Sequence, residues 1–226
     1  MTDTKDRLLA SALTHVPFDG WSEATLKAAA RDAGVPLEEA RAIFPRGAVD
    51  MALAFHRAGD AEMRARLLET DLSDMRFRDK VARAMRLRIE SIESKEAVRR
   101  GATLFALPRH TSDGARAVWE TSDTIWTALG DKSTDASWYT KRATLAGVWG
   151  SVLLFWLGDD SPGSQETWGF IDRRIDDVMR IEKVKAGIAG NRAGRAMMAG
   201  PNWILSRIRA PMRPPKEFPG SWDGGA

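Results

Sequence analysis

Apolar residues recur along most of this chain three and four positions apart, the spacing of a helix face, and no period-2 alternation of β-branched and aromatic residues is found between turns. The clearest stripe is Trp138, Leu145, Trp149, Val152 and Trp156, at spacings of 7, 4, 3 and 4, which place all five on one side of a helix. Trp119 and Trp126 sit seven apart on the segment before it, and Trp168, Ile171, Ile175 and Val178 line the segment after. Helix ends are marked by caps and glycines. Ser22 precedes Glu23, Ser133 or Thr134 can cap the next long run, and Ser161 stands before Pro162; Gly20, Gly34, Gly130 and Gly158 are stops. The pattern predicts an all-α bundle of about ten helices, near 4–14, 22–32, 37–44, 47–70, 75–94, 96–106, 112–129, 134–157, 162–182 and 196–209.

Glycine lowers the cost of leaving a helix, so Ala186 to Gly194 reads as a linker. The chain then divides into a helix-turn-helix-like segment at 1–50, a helical bundle at 51–182, a flexible linker at 183–195, an amphipathic helix at 196–211 and a disordered, proline- and glycine-rich tail at 212–226.

Charge follows this division. The chain carries +3 overall, but residues 180–226 hold nine Lys/Arg against three Asp/Glu, so the body is net acidic and an anionic partner belongs at the tail. Cysteine is absent, which excludes disulfides and thiolate chemistry. The charged N-terminus lacks the apolar run of a signal peptide. The longest uncharged stretch, 143–158, has 16 residues, too few for a membrane span. Its last turns, Val152 to Leu157, are apolar all round and are expected to be enclosed.

Three short helices with a break at Ala33-Gly34-Val35-Pro36 suggest a helix-turn-helix. With the long helix after Gly47, this resembles the N-terminal part of TetR-type regulators, and it raises the alternative of a ligand-responsive transcriptional repressor. Charge argues the other way. Residues 1–56 hold six basic and eight acidic side chains, and the third helix opens on Glu38 and Glu39, where phosphates would have to be met. The segment reads as a scaffold, with no nucleic-acid partner.

Catalytic constellations are missing. His15, His56 and His110 are far apart in sequence, and there is no His-Glu-x-x-His, glycine-rich phosphate loop or nucleophile elbow. Asp159 and Asp160 read as the end of one helix and the start of the next. No catalytic residue, metal ligand or cofactor is expected. The tryptophan stripe is ordinary core in one reading. In the other, Gly147 and Gly150 remove side chains beside large aromatics and leave a hollow. Trp138 and Tyr139 are adjacent, about 100° apart on a helix. They are either a core Trp beside a hydrogen-bonded Tyr or, among Asp135, Lys141 and Arg142, an interface hot spot. In the tail, Ile204 and Ile208 share a face beside Trp203 and Leu205, with Met197 and Met198 upstream and Arg207 and Arg209 downstream; this is the pattern of a helix lying in an anionic membrane interface.

The run Gly130-Asp-Lys-Ser-Thr-Asp-Ala-Ser-Trp-Tyr-Thr-Lys-Arg-Ala143, with Asp159-Asp-Ser-Pro162 and Thr167-Trp168, resembles the lipid-binding accessory proteins of coenzyme Q (ubiquinone) biosynthesis, the family of the ninth named coenzyme Q protein. The match runs from about Gly20 to Met179 and is sharpest from Leu129. The resemblance implies a TetR-like fold that holds an isoprenoid quinone or phospholipid between its C-terminal helices, without being an enzyme. Wall candidates are Met85, Leu104, Phe105, Leu107, Ile125, Leu145, Trp149 and Phe155. It also implies that the intact Gly-Asp-x-Ser-Thr-Asp-x-x-Trp-Tyr signature docks the di-iron hydroxylase acting on demethoxyubiquinone, through Asp131, Ser133, Thr134, Asp135, Trp138 and Tyr139. The family's C-terminal membrane-binding helix agrees with the tail in position and character. A homodimer is expected, located in the cytoplasm and peripheral on the inner face of a bacterial cytoplasmic membrane.

Overall fold

A computed structural model describes residues 2–190 and 209–211. Among them are nine α-helices and no strands: α1 Thr2–Asp19, α2 Glu23–Asp32, α3 Leu37–Ile43, α4 Ala48–Glu69, α5 Phe77–Glu90, α6 Lys95–Ala106, α7 Thr111–Ala128, α8 Ala136–Leu157 and α9 Gln165–Gly190. Short 3₁₀ turns at Pro108–His110 and Pro162–Ser164 lead into α7 and α9. The tenth expected helix, with Met197, Met198, Trp203, Ile204, Leu205, Arg207 and Ile208, lies outside the described residues; Arg209 is described and exposed.

Local chemistry explains the boundaries. The Ser22 hydroxyl accepts from the Thr25 amide and starts α2. The cap of α8 is Asp135, which accepts from the Ser137 amide, and not Ser133 or Thr134; a carboxylate is the stronger acceptor for a helix N-terminus. α7 ends in a Schellman turn, with Asp131 N donating to Trp126 O at 2.9 Å and Gly130 N to Thr127 O at 3.1 Å. That turn needs the left-handed backbone of Gly130, φ +81°. The expected linker begins too early: α9 runs on through Gly190, so 183–190 is helix. Isolated glycines cost a helix only about 1 kcal/mol each, and the intervening Lys and Ala residues are strong helix formers.

Two apolar clusters form the interior. One joins α1–α3 to the start of α4 through Leu8, Val16, Trp21, Leu26, Phe44 and Met51. The other joins α4, α5 and α7–α9 through Met63, Met85, Ile125, Trp149, Val152 and Ile171. The tryptophan stripe predicted for α8 packs as core at Leu145, Trp149, Val152 and Trp156, each buried. The end of that helix is not fully enclosed, because Leu154 points out and is 67% exposed. Asp159 is buried and closes the corner between α8 and α9, accepting from the amides of Ser161 and Thr167 at 2.8 and 2.9 Å. Burial alone would raise its pKa, but the hydrogen bonds from Ser161 and Thr167 hold it well below the usual carboxylate range.

Candidate functional site

At the seam between the two clusters lies a cavity of about 370 Å³. Its walls are mainly apolar, with Phe55 from α4, Val98 and Phe105 from α6, Val118 from α7 and Trp149 and Leu153 from α8. Gly150 also lines it, as the reading of a hollow beside aromatics expects. Gly147 does not: it is exposed, and a Cβ there would meet nothing within 4 Å.

The eight proposed wall residues are not brought together. Phe105 and Trp149 line this cavity. Leu145 borders a separate apolar groove of about 410 Å³ between α5, α8 and α9, with Phe77, Trp126 and Val178. Met85 and Ile125 are fully buried in the second cluster. Leu104 packs on the first cluster, and Leu107, beyond the end of α6, is 40% exposed. Phe155 stacks on Phe170 of α9 with ring centroids 4.3 Å apart. Sequence spacing gives a helix face but not which neighbour that face meets, so a list drawn from five helices cannot single out one cavity.

A buried polar cluster that sequence reasoning missed borders the cavity through His56 and Arg88. Arg88 Nε donates to Asp60 Oδ1 at 2.6 Å, and Arg88 donates again to the His56 carbonyl at 2.9 Å. Thr121 donates to Asp60 Oδ1 at 2.9 Å. His56 Nε2 lies 3.0 Å from the Ala117 carbonyl and 2.8 Å from Thr121 Oγ1. A carbonyl only accepts, so Nε2 carries the proton. Burial pushes the His56 pKa down against the opposing pull of Asp60, and the ring is neutral near pH 7. Arg88 reaches Asp60 only because residue 59 is glycine: a Cβ there would stand 2.5 Å from the guanidinium. The signal was present in the sequence. His56 and Asp60 interrupt the stripe that continues as Met63 and Leu67 on α4, Arg88 follows Val81, Ala84 and Met85 on α5, and Thr121 stands between Ala117 and Ile125 on α7.

The Gly130–Tyr139 signature forms a tight polar knot with an aromatic edge. Asp131 accepts from Lys141 and Ser133 on one oxygen, at 2.9 and 2.7 Å, and from Arg142 on the other at 2.9 Å. Burial opposes the charge of Asp131, but these donors hold its pKa far below the ordinary carboxylate value. Arg142 is itself fully buried and donates to Asp123 at 2.6 Å. Its guanidinium lies under the Trp138 ring, 4.1 Å from the centroid. Trp138 is half-buried between Trp119 and Tyr139, while Tyr139 is 38% exposed. Of the six signature residues singled out, Asp131, Ser133 and Asp135 are engaged within the loop; Thr134 and Tyr139 reach the surface. The Thr134 carbonyl accepts from Ala210 N at 3.0 Å, which sets the far end of the tail segment beside the signature. Among the described residues, no three His, Cys, Asp or Glu side chains could hold a metal ion, and no helix is long and apolar enough to cross a membrane.

Residues 111–182 match the COQ9 family model. The chain is 30% identical over 186 residues to the ubiquinone biosynthesis protein COQ9, mitochondrial, of Rattus norvegicus, covering 77% of this chain and 58% of that protein. It is 28% identical over 197 residues to the probable ubiquinone biosynthesis protein coq9, mitochondrial, of Dictyostelium discoideum, covering 82% of this chain and 63% of that protein. It thus spans about three fifths of the length of these curated relatives. A TetR transcriptional regulator from Nitrosomonas europaea has the same fold, with TM-score 0.63 at 17% identity over 77% of this chain and 97% of the regulator. The relatives are named as mitochondrial proteins, and this overturns the expected bacterial cytoplasmic-membrane location. Residues 111–182 carry a COQ9 domain, and the described residues form a TetR-like, all-α fold.

Proposed function

We propose that this protein serves ubiquinone biosynthesis as a lipid-binding accessory protein that performs no chemistry itself, holding an isoprenoid quinone precursor and presenting it to the di-iron demethoxyubiquinone hydroxylase. The observation that carries the reading is the cavity of about 370 Å³ walled by Phe55, Phe105, Val118, Trp149 and Leu153. A space of this size lined by aromatic and aliphatic side chains takes an apolar ligand. The problem it would solve is physical: a polyprenylated quinone is nearly insoluble in water, so its head group must leave the bilayer without exposing its tail.

The hydroxylase would dock on Tyr139 and Trp138, whose rings stand in edge contact at 4.7 Å beside an internally paired set of charges. The basic tail would contact an anionic membrane surface. The hydrogen bond from Ala210 to Thr134 supports an arrangement in which tail and docking patch are neighbours, so that one encounter brings the bilayer, carrier and hydroxylase together. Charge weighs against the repressor alternative, since Arg41 is ion-paired to Glu23, and Glu38 and Glu39 are exposed at the start of α3.

Native mass spectrometry and lipid extraction of the purified protein test the reading. A co-purifying isoprenoid lipid, and a melting temperature that rises with added quinone, are expected, because a ligand bound only by the native state stabilises it. Lipid-free protein from several hosts with a melting temperature indifferent to quinones would remove the basis of the proposal. In flotation assays with anionic vesicles, deletion of residues 196–226 is expected to abolish binding; equal flotation of truncated and full-length protein would rule out the anchor.

A further inference from the structure

Trp149 is fully buried, it lines the cavity, and its indole Nε1–H has no hydrogen-bond partner in the protein. Among the described residues it is the one tryptophan with a buried, unpartnered N–H. A donor buried in this state costs about 1–3 kcal/mol, and native proteins rarely leave one without a reason. The neighbouring indoles show the usual solution. Trp21, also on the cavity wall, donates to the Ala97 carbonyl at 2.9 Å, and Trp126 donates to the Lys141 carbonyl at 3.1 Å.

The other strong donors on the wall are already engaged. Arg88 holds Asp60 and the His56 carbonyl. His56 Nε2 lies on the Ala117 carbonyl and Thr121. Arg88 and Asp60 also neutralise each other, with side chains 5% and 7% exposed. The cavity therefore offers no surplus charge to an ionised head group, and a phosphate would bring an uncompensated charge into an apolar space. Among its lining residues, Trp149 carries a buried hydrogen-bond donor without a partner.

Resting on the reading of this cavity as the lipid site, we infer that Trp149 is the head-group anchor: its Nε1–H donates to an uncharged carbonyl oxygen carried on an apolar chain. The carbonyl can belong to a quinone ring or to a fatty ester. Both present a neutral acceptor oxygen beside hydrocarbon, and a pure hydrocarbon would leave the indole unsatisfied. The walls supply affinity for the chain, and the indole selects against ligands without oxygen.

The test uses the full-length protein and three probes: decylubiquinone, methyl laurate, and dodecylbenzene, which has no acceptor oxygen. Trp149→Phe removes the donor and keeps an aromatic ring. The variant is expected to lose about tenfold in affinity for at least one carbonyl probe, in keeping with the loss of one buried hydrogen bond, while dodecylbenzene binding stays within about twofold. Whichever carbonyl probe loses more identifies the head group. In ¹⁵N-labelled wild type, the Trp149 indole resonance, assigned by its through-space contacts, is expected to move downfield with that probe and to stay in place with dodecylbenzene. This second measurement does not depend on how well the variant folds. If wild type binds decylubiquinone or methyl laurate while the indole signal is unmoved, or Trp149→Phe binds them as wild type does, the anchor is wrong and the lipid reading stands. If wild type takes up none of the three probes, the lipid reading falls and the anchor with it.

Discussion

Trp138 and Trp149 lie three turns apart on α8, and their surroundings are opposite in kind. Around Trp138 the charges are paired with one another, Asp131 with Lys141 and Arg142 and Arg142 with Asp123, and the one donor left over, Arg142 Nη2, is buried inside the charged knot. What reaches the surface there is aromatic, with Tyr139 38% exposed beside Trp138. Trp149 is fully buried beside the cavity, and a polar group, its own N–H, is left without a partner among apolar walls. A site presents to a partner whatever it has not already used. The N-terminal end of α8 has aromatic surface to offer and the cavity end has a hydrogen-bond donor, so one helix can serve a protein partner and a small ligand by different physics.

The strongest way to break this contrast is to break the knot. Asp131→Ala leaves the fully buried Arg142 with one partner fewer, and a loss of about 3–5 kcal/mol in unfolding free energy is expected, measured by denaturant titration. A loss under about 1 kcal/mol would show that the charges at this end are no more than a solvated surface cluster. Gly59→Ala applies the same logic to the cavity end. A Cβ 2.5 Å from the Arg88 guanidinium forces that side chain to shift, and a smaller loss of about 1–3 kcal/mol is expected.

Next comes the docking patch. Trp138→Ala or Tyr139→Ala is expected to weaken hydroxylase binding by about 2 kcal/mol or more. Tyr139→Ala is expected to change monomer stability by no more than about 0.5 kcal/mol. Pull-down with the purified hydroxylase and a melting curve separate the two effects. A large fall in melting temperature for Tyr139→Ala would make the residue structural.

The two ends also differ in their response to pH. The folded-state pKa of His56 is lowered by burial, so below about 6.5 protons favour the unfolded chain, and stability falls from there down to the lower folded-state value. His56→Gln should flatten that part of the stability profile while leaving the Asp60–Arg88 pair in place. Asp131 is likewise depressed, by hydrogen bonds from Lys141, Ser133 and Arg142 against the effect of burial. Its contribution is fully present above the ordinary carboxylate value of about 4 and fades only below it. Urea unfolding at a series of pH values resolves the two steps, and a single step below pH 4 would remove His56 from the account.

The smallest effect is expected at Leu154, exposed beside the cavity. Leu154→Ser should change stability by no more than about 0.5 kcal/mol. Any change in lipid uptake would then mark the side chain as part of the cavity mouth.

Sequence by itself determined the helical elements and the faces they bury. The stripe on α8 was read from spacing, and Leu145, Trp149, Val152 and Trp156 are buried while Trp138 is half-buried, because residues three, four and seven apart share one side of a helix. The start of α2 at Ser22 and the corner at Asp159 were equally legible, since caps act within a few residues. Only the tertiary structure decided which helices meet. It scattered the eight wall candidates, of which Phe105 and Trp149 share the cavity. It brought Asp60, Arg88 and Thr121 together from positions 28 and 61 residues apart, and it turned Asp131 inward onto Arg142. The reason is one of range. Propensity, periodicity and capping act over a turn or two of chain, whereas a cavity, a buried ion pair and an unpartnered indole are properties of the space between elements, set by how their surfaces interlock.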